Sequence, residues 1–212
     1  MPRLSVAVMA HRFRARLVAD LIDRLDIDAD RVVWDRRNNR WETGARAWRH
    51  HDPDADWHLV IQDDALPCRD LIAGVDRGLT LLPPQSTVSL YMGQNGRRWT
   101  RHVTQDRRTR HGPTWVKAGR LIWGVAMLAP VASIADMLAW CEAHPAPTYD
   151  HRVARFYYQH LGWPTFYSWP SLVEHRGAES LIGGSPGRQA ARFAGEDFSA
   201  LDIDWTARPV PI

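Results

Sequence analysis

An α/β fold, a mixed sheet flanked by helices, is predicted by two features of the sequence. Short apolar runs rich in valine and isoleucine alternate with segments whose apolar residues recur at helical spacing. One such run, Trp57 to Gln62, reads as a continuous buried-type strand that ends in the adjacent carboxylates Asp63 and Asp64. The chain has 212 residues, 45% hydrophobic and 24% charged, which suits a single globular domain with a sizeable core and excludes a disordered or fibrous composition.

In chain order, Ser5 to Ala10 reads as a strand, and Leu17, Val18, Leu21, Ile22 and Leu25 fall on one face of the helix that follows. Arg31 to Trp34 gives a second strand, and Thr43 to Trp48 a helix with Thr43 as its N-cap. After the strand ending at Gln62, Leu71, Ile72, Val75 and Leu79 mark another helix, which Pro83-Pro84 stops. Thr87 to Met92 follows as a strand and Asn95-Gly96 as a turn, so the first half reads as a Rossmann-like layered sheet. Leu121 to Leu128 is an apolar run broken by Gly124, and Pro130 opens a helix containing Ile134, Met137, Leu138 and Cys141. A last helix starts near Asp150 and stops at Gly162, before strand-like pieces at Thr165 to Trp169 and Ser171 to Val173. The reading places one domain over residues 1–183, with residues 184–212 as a wrapping or mobile tail.

The 27 basic and 24 acidic residues leave a net charge of +3, so global charge does not indicate a nucleic-acid binder. The basic residues are unevenly placed: Arg97, Arg98, Arg101, Arg107, Arg108, Arg110, Lys117 and Arg120 are opposed only by Asp106. This segment suits a lid over a diphosphate, a docking surface for an anionic acceptor in which Trp99 or Trp115 stacks on bases, or a solvated loop. Two cysteines, Cys68 and Cys141, lack the spacing of a redox motif or zinc site. The N-terminal apolar run is too short for a signal peptide, and the uncharged stretch Leu121 to Ala135 falls short of the roughly 20 residues of a membrane-spanning helix. A cytoplasmic protein with no membrane span is expected.

Open α/β sheets bind ligands beyond the carboxyl ends of their strands, where Gln62, Asp63 and Asp64 are expected. Two adjacent carboxylates repel unless a cation sits with them. Mg²⁺ and Mn²⁺ take oxygen ligands and bridge to phosphates, which makes a nucleoside diphosphate the natural companion; a solvated Asp-Asp turn is the alternative. An acid after the second strand, Asp35, suits ribose or base hydrogen bonds. Arg36, Arg37 and Arg40 beside it serve either as donor contacts or as a solvated face.

Three segments carry a resemblance to a known group. DADWHLVIQDDALPCRDL resembles the metal-binding strand of GT-A glycosyltransferases, in particular the lipopolysaccharide-type family. WPSLVEHRGAESLIG is similar to the segment such enzymes place beside the metal, and VAVMAHRFR to their first donor-binding strand and loop. Small transferases carried by actinobacterial phages are also similar. The resemblance spans roughly Ser5 to Gly183 and departs from the family at Gln62, where an acid is common.

The resemblance implies a single GT-A domain and a metal-dependent, inverting hexosyltransferase that uses a nucleoside-diphosphate sugar and a hydroxyl acceptor such as a glycan, a protein or modified DNA. It implies Asp64 and His175 as ligands of Mn²⁺ or Mg²⁺ and Asp63 on the ribose or a metal-bound water. Donor contacts are expected from His11, Arg12, Arg14, Asp35, Arg40 and Gln62. Asp150 is the candidate base that deprotonates the acceptor, or else only a helix N-cap. Trp123 and Gly124 would line the acceptor or sugar pocket, because an aromatic face packs on a sugar ring and glycine leaves it room; Trp123 as plain core is the alternative. Two competing readings are a non-catalytic nucleic-acid-binding module built on Arg97 to Arg120, and a degenerate transferase fold that only binds sugar nucleotide.

Overall fold

A computed structural model describes residues 2–94, 102–106, 109, 112–177 and 189–212. Its main sheet has eight strands in the order β10-β6-β8-β5-β7-β3-β1-β2. These are β1 (Leu4–Ala10), β2 (Val32–Trp34), β3 (Trp57–Gln62), β5 (Thr87–Ser89), β6 (Thr114–Ala118), β7 (Ala126–Pro130), β8 (Thr165–Trp169) and β10 (Val210–Pro211). A separate antiparallel ribbon pairs β4 (Ala65–Pro67) with β9 (Val173–His175). β1 runs parallel to β2 and β3, whereas β7 lies antiparallel to both β3 and β5, so the sheet is mixed as predicted.

The central strands are buried on both faces, which is why β3 carries apolar residues at successive positions, Leu59 to Ile61, with His58 buried among them. Leu59 and Ile61 point to the side covered by α1 (Ala15–Leu25) and α3 (Leu71–Leu79), while Val60 points to the side covered by α2 (Arg40–Arg49), α4 (Ile134–Ala143) and α5 (Tyr149–Arg155). Val6 and Val8 on β1 alternate with Ala7 in the same way. Residues after 199 join the first face: Ala200, Ile203 and Trp205 are buried there, and Trp205 stacks on Trp115 at 4.3 Å while donating its Nε1 hydrogen to Gly74 O.

Several element boundaries differ from the sequence reading. Helix α2 starts three residues before Thr43, because Asn39 is its N-cap and accepts from Glu42 N at 3.0 Å; Thr43 lies buried inside the helix. β5 ends at Ser89, whose side chain accepts from Tyr91 N and donates to Tyr91 O, turning the chain before Met92. Pro130 closes β7 rather than opening a helix, and a 3₁₀ turn over Val131–Ser133 precedes α4. The piece expected at Ser171 to Val173 is shifted to β9, Val173–His175. Gly162, at φ 68°, follows a π-helical turn over Phe156–His160 that continues α5.

The expectation for Arg97 to Arg120 changes most. Arg97, Arg98, Arg101, Arg107, Arg108 and Arg110, like Trp99 and the Asn95-Gly96 turn, lie outside the described residues. Trp115 and Lys117 belong to β6, and Trp115 is buried in the core, where it cannot stack on a nucleic-acid base. Among the described residues, no helix is long and apolar enough to cross a membrane.

Candidate functional site

Parallel pairing of β1 with β3 sets Met9 opposite Gln62, so the loops leaving these two strands start side by side. Asp63 N donates to Met9 O at 3.1 Å, which seats Asp63 and Asp64 beside the His11–Arg14 turn. Both carboxylates are almost fully buried, at 5% and 3% exposure. His11 N donates to Asp63 Oδ2 at 2.7 Å. Arg14 Nη1 bridges the pair, 2.8 Å from Asp63 Oδ1 and 2.5 Å from Asp64 Oδ2.

These charges are coupled through burial. Desolvation raises the Asp63 pKa by more than the Arg14 and His11 hydrogen bonds lower it, and the neighbouring Asp64 charge adds to the rise. Desolvation alone would lower the Arg14 pKa, but its bonds and charge interactions with Asp63 and Asp64 outweigh this and leave it raised. One guanidinium thus serves two buried carboxyl groups.

The β4–β9 ribbon brings the distant C-terminal motif to this point. It aligns Ala65 with His175, and Arg176 N donates to Asp64 O at 2.9 Å. His175 Nε2 lies 3.3 Å from Asp64 Oδ2, and its Nδ1 accepts from Gly177 N at 3.2 Å. A neutral His175 ring in this arrangement carries its proton on Nε2, directed at Asp64. Glu174 Oε1 accepts from His175 N at 2.8 Å and from Ala190 N at 2.7 Å, while Arg176 pairs with Asp20 on α1. Glu174 and Arg176 were not singled out from sequence; their only signal was adjacency to His175 within the motif that also contains Gly177.

On the other side of Gln62 lies a second group. Gln62 N donates to Val125 O at 2.8 Å, drawing the loop before β7 against the end of β3. A Cβ added at Gly124 would come within 2.9 Å of Asp150 Cβ and 3.3 Å of Gln62 Nε2, so these three residues converge. Asp150 is the second residue of α5; the N-cap is Thr148, whose side chain accepts from His151 N, and the N-cap alternative for Asp150 is thereby corrected. Trp123 is half-buried, edge-on to Tyr91 at 6.1 Å and to Tyr167 at 5.6 Å. Tyr91 in turn lies 6.5 Å from His175, an aromatic link between the two groups that no sequence spacing announces. Tyr167 Oη holds the 120–122 backbone by accepting from Ile122 N and donating to Arg120 O, both at 2.9 Å.

The remaining expected donor residues lie at the rim. Asp35 N donates to Ala10 O at 2.7 Å, which places Asp35 beside the start of the His11–Arg14 turn, and its Oδ1 accepts from Arg37 N and Asn39 N. Arg12 is exposed and lies over the Phe13 ring, and Arg40 is exposed in the first turn of α2.

Asp64 Oδ1 is buried and has no hydrogen-bond partner among the described residues. An orphaned oxygen of one of two adjacent buried carboxyl groups suits a hard divalent cation, so the donor chemistry fits Mn²⁺ or Mg²⁺. The ligands are not preassembled: among the described residues, no group of three His, Cys, Asp or Glu side chains is arranged to hold a metal ion, and Arg14 occupies the edge that the two carboxylates share. Comparison of the chain with protein-family models and with curated proteins gives no match.

Proposed function

We propose that the chain is a metal-dependent GT-A-type glycosyltransferase that moves a hexose from a nucleoside-diphosphate sugar to a hydroxyl acceptor with inversion. The observation that carries this reading is the convergence, at the carboxyl ends of β1 and β3, of a buried carboxylate pair with Arg14, His11 and His175, next to the Gln62–Gly124–Asp150 group. A structural ion pair alone gives no reason for a third group, His175, to be delivered by a ribbon from more than a hundred residues away.

In this reading, Asp35 and Asp63 receive the ribose hydroxyls and the His11–Arg14 turn faces the diphosphate, with Arg14 as the cationic contact. Asp64, through Oδ1, and His175 would hold Mn²⁺ or Mg²⁺, which when bound neutralises charge on the leaving diphosphate. For His175 to ligate through Nε2, its proton moves to Nδ1 and the Gly177 N–H contact is released. The sugar lies against Trp123 beside Asp150, whose close approach to the chain at position 124 only a glycine permits. Asp150 takes the proton of the acceptor hydroxyl as its oxygen bonds to the anomeric carbon, while the bond from that carbon to the diphosphate breaks. The acceptor class, whether glycan, protein or modified DNA, is set by the surface around this pocket.

Incubation with UDP-, GDP- and TDP-hexoses in Mn²⁺ tests the proposal by the release of nucleoside diphosphate. Release by wild type, lost in Asp64→Ala and reduced in Asp150→Asn, is expected; release that persists in Asp64→Ala would refute the assignment of the site.

A further inference from the structure

We infer that Arg14 is the resident cation of the Asp63–Asp64 pair and that it exchanges places with a divalent ion when a nucleoside diphosphate binds. The inference rests on the donor-site reading above and adds to it a device that couples metal entry to nucleotide entry. One nitrogen, Nη1, touches both carboxylates, at 2.8 and 2.5 Å. A divalent ion held by Asp64 Oδ1 and His175 would share the Asp64 carboxylate with the guanidinium on Oδ2, so the two like charges compete for one carboxylate.

The surroundings suit an exchange. Arg14 stands at the N-cap position of α1 with non-helical backbone (φ −109°, ψ 21°), after the 3₁₀ turn Arg12–Arg14. Its neighbours Arg12 and Phe13 are exposed, Phe13 by 74%, so solvent borders the turn that carries the side chain. The carboxylates have other anchors when it leaves: His11 N on Asp63 Oδ2, and His175 beside Asp64 Oδ2. Asp64 Oδ1, already without a partner among the described residues, is the oxygen that an entering ion meets first. A diphosphate at the His11–Arg14 turn gives the displaced guanidinium a planar, bidentate anionic partner in place of the one it gives up. Metal alone must instead expel Arg14 toward water, so metal binding without nucleotide is weak.

Calorimetric titration of Mn²⁺ alone into the full chain and into Arg14→Gln tests this. The variant is expected to bind Mn²⁺ at least about tenfold more tightly, since a like charge a few ångströms away has been removed. It is also expected to melt at lower temperature than wild type without metal and to recover with Mn²⁺. Equal or weaker Mn²⁺ affinity in Arg14→Gln, or a melting temperature indifferent to Mn²⁺, overturns the exchange and leaves Arg14 as a fixed structural partner. Should Arg14→Gln fail to fold without metal, refolding in Mn²⁺ but not in NaCl of the same ionic strength supports the exchange, and failure in both overturns it. Binding of nucleotide sugars to wild type, followed by tryptophan fluorescence, reports separately on the donor-site reading.

Discussion

Replacing Gly124 by alanine adds one methyl group at the point where Gln62 and Asp150 meet. The new Cβ would lie 2.9 Å from Asp150 Cβ, 3.3 Å from Gln62 Nε2 and 3.6 Å from Tyr149 Cδ1, against an ordinary contact range of 3.4–4 Å. The closest atom belongs to the root of a side chain in the first turn of α5, so relief must come from a shift of the helix start rather than from a rotamer. Overpacking of this kind costs about 1–3 kcal/mol. For a domain of this size, each kcal/mol lowers the melting temperature by about 2–4 °C. The protein is therefore expected to remain folded, with a modest fall in melting temperature and in the denaturant midpoint. The functional loss is expected to exceed the loss of stability, because the methyl group displaces the candidate base and Gln62: transfer should fall by about tenfold or more while nucleoside-diphosphate affinity holds. Thermal melting, nucleotide titration and a transfer assay on the same preparation separate these effects. Wild-type transfer in Gly124→Ala would refute Asp150 as the base positioned beside this glycine.

Asp63→Asn removes one of two adjacent buried carboxylates but leaves a single acceptor oxygen where Asp63 uses two, so either Arg14 or the His11 N–H faces the amide NH₂; urea denaturation at neutral pH should show a loss of about 1–3 kcal/mol, with donor binding lost; stability unchanged or raised would contradict this. His58 is buried between Ser5 Oγ and Ala47 O, and burial holds its pKa at about 4 against an ordinary 6.5. The unfolded chain therefore takes up a proton there first: the stability tied to neutral His58 is complete above 6.5 and is lost as pH falls toward 4, by about 3 kcal/mol in all, and His58→Gln should flatten that part of the profile. Trp205→Ala removes the stacking partner of Trp115 and the bond to Gly74 O, and should cost about 3–5 kcal/mol by chemical denaturation, showing that the C-terminal residues stabilise the sheet.

The parts of the fold legible in the sequence were those in which one period dominated. β3 was read with its observed bounds and α3 with the right face, although α3 ends at Leu79, ahead of Pro83-Pro84, because a strand buried on both faces is mostly apolar and a helix on one face repeats at three and four residues. Boundaries failed where a local side chain decided them: Asn39 caps α2 ahead of Thr43, and Ser89 ends β5 early. β6 was overlooked because its strand pattern was read as part of a basic segment, although Trp115 and Val116 are buried. In the site, the Asp63–Asp64 pair was legible as an unusual ending to a buried strand, and His175 through the motif around it. The bridging position of Arg14, the approach of Gly124 to Asp150 and the Tyr91 link to Trp123 were not, since each depends on loops meeting across the sheet and leaves no mark on spacing.

The central claim is that the carboxyl ends of β1 and β3 form a metal-assisted nucleotide-sugar site. The most direct test is calorimetric titration of the nucleotide sugars into wild type and Asp64→Ala, each with and without Mn²⁺. The account predicts saturable one-site binding of at least one nucleotide sugar to wild type, strengthened by Mn²⁺ and abolished in Asp64→Ala. Binding unaffected by Asp64→Ala, or absent for every nucleotide sugar with Mn²⁺ present, would contradict it.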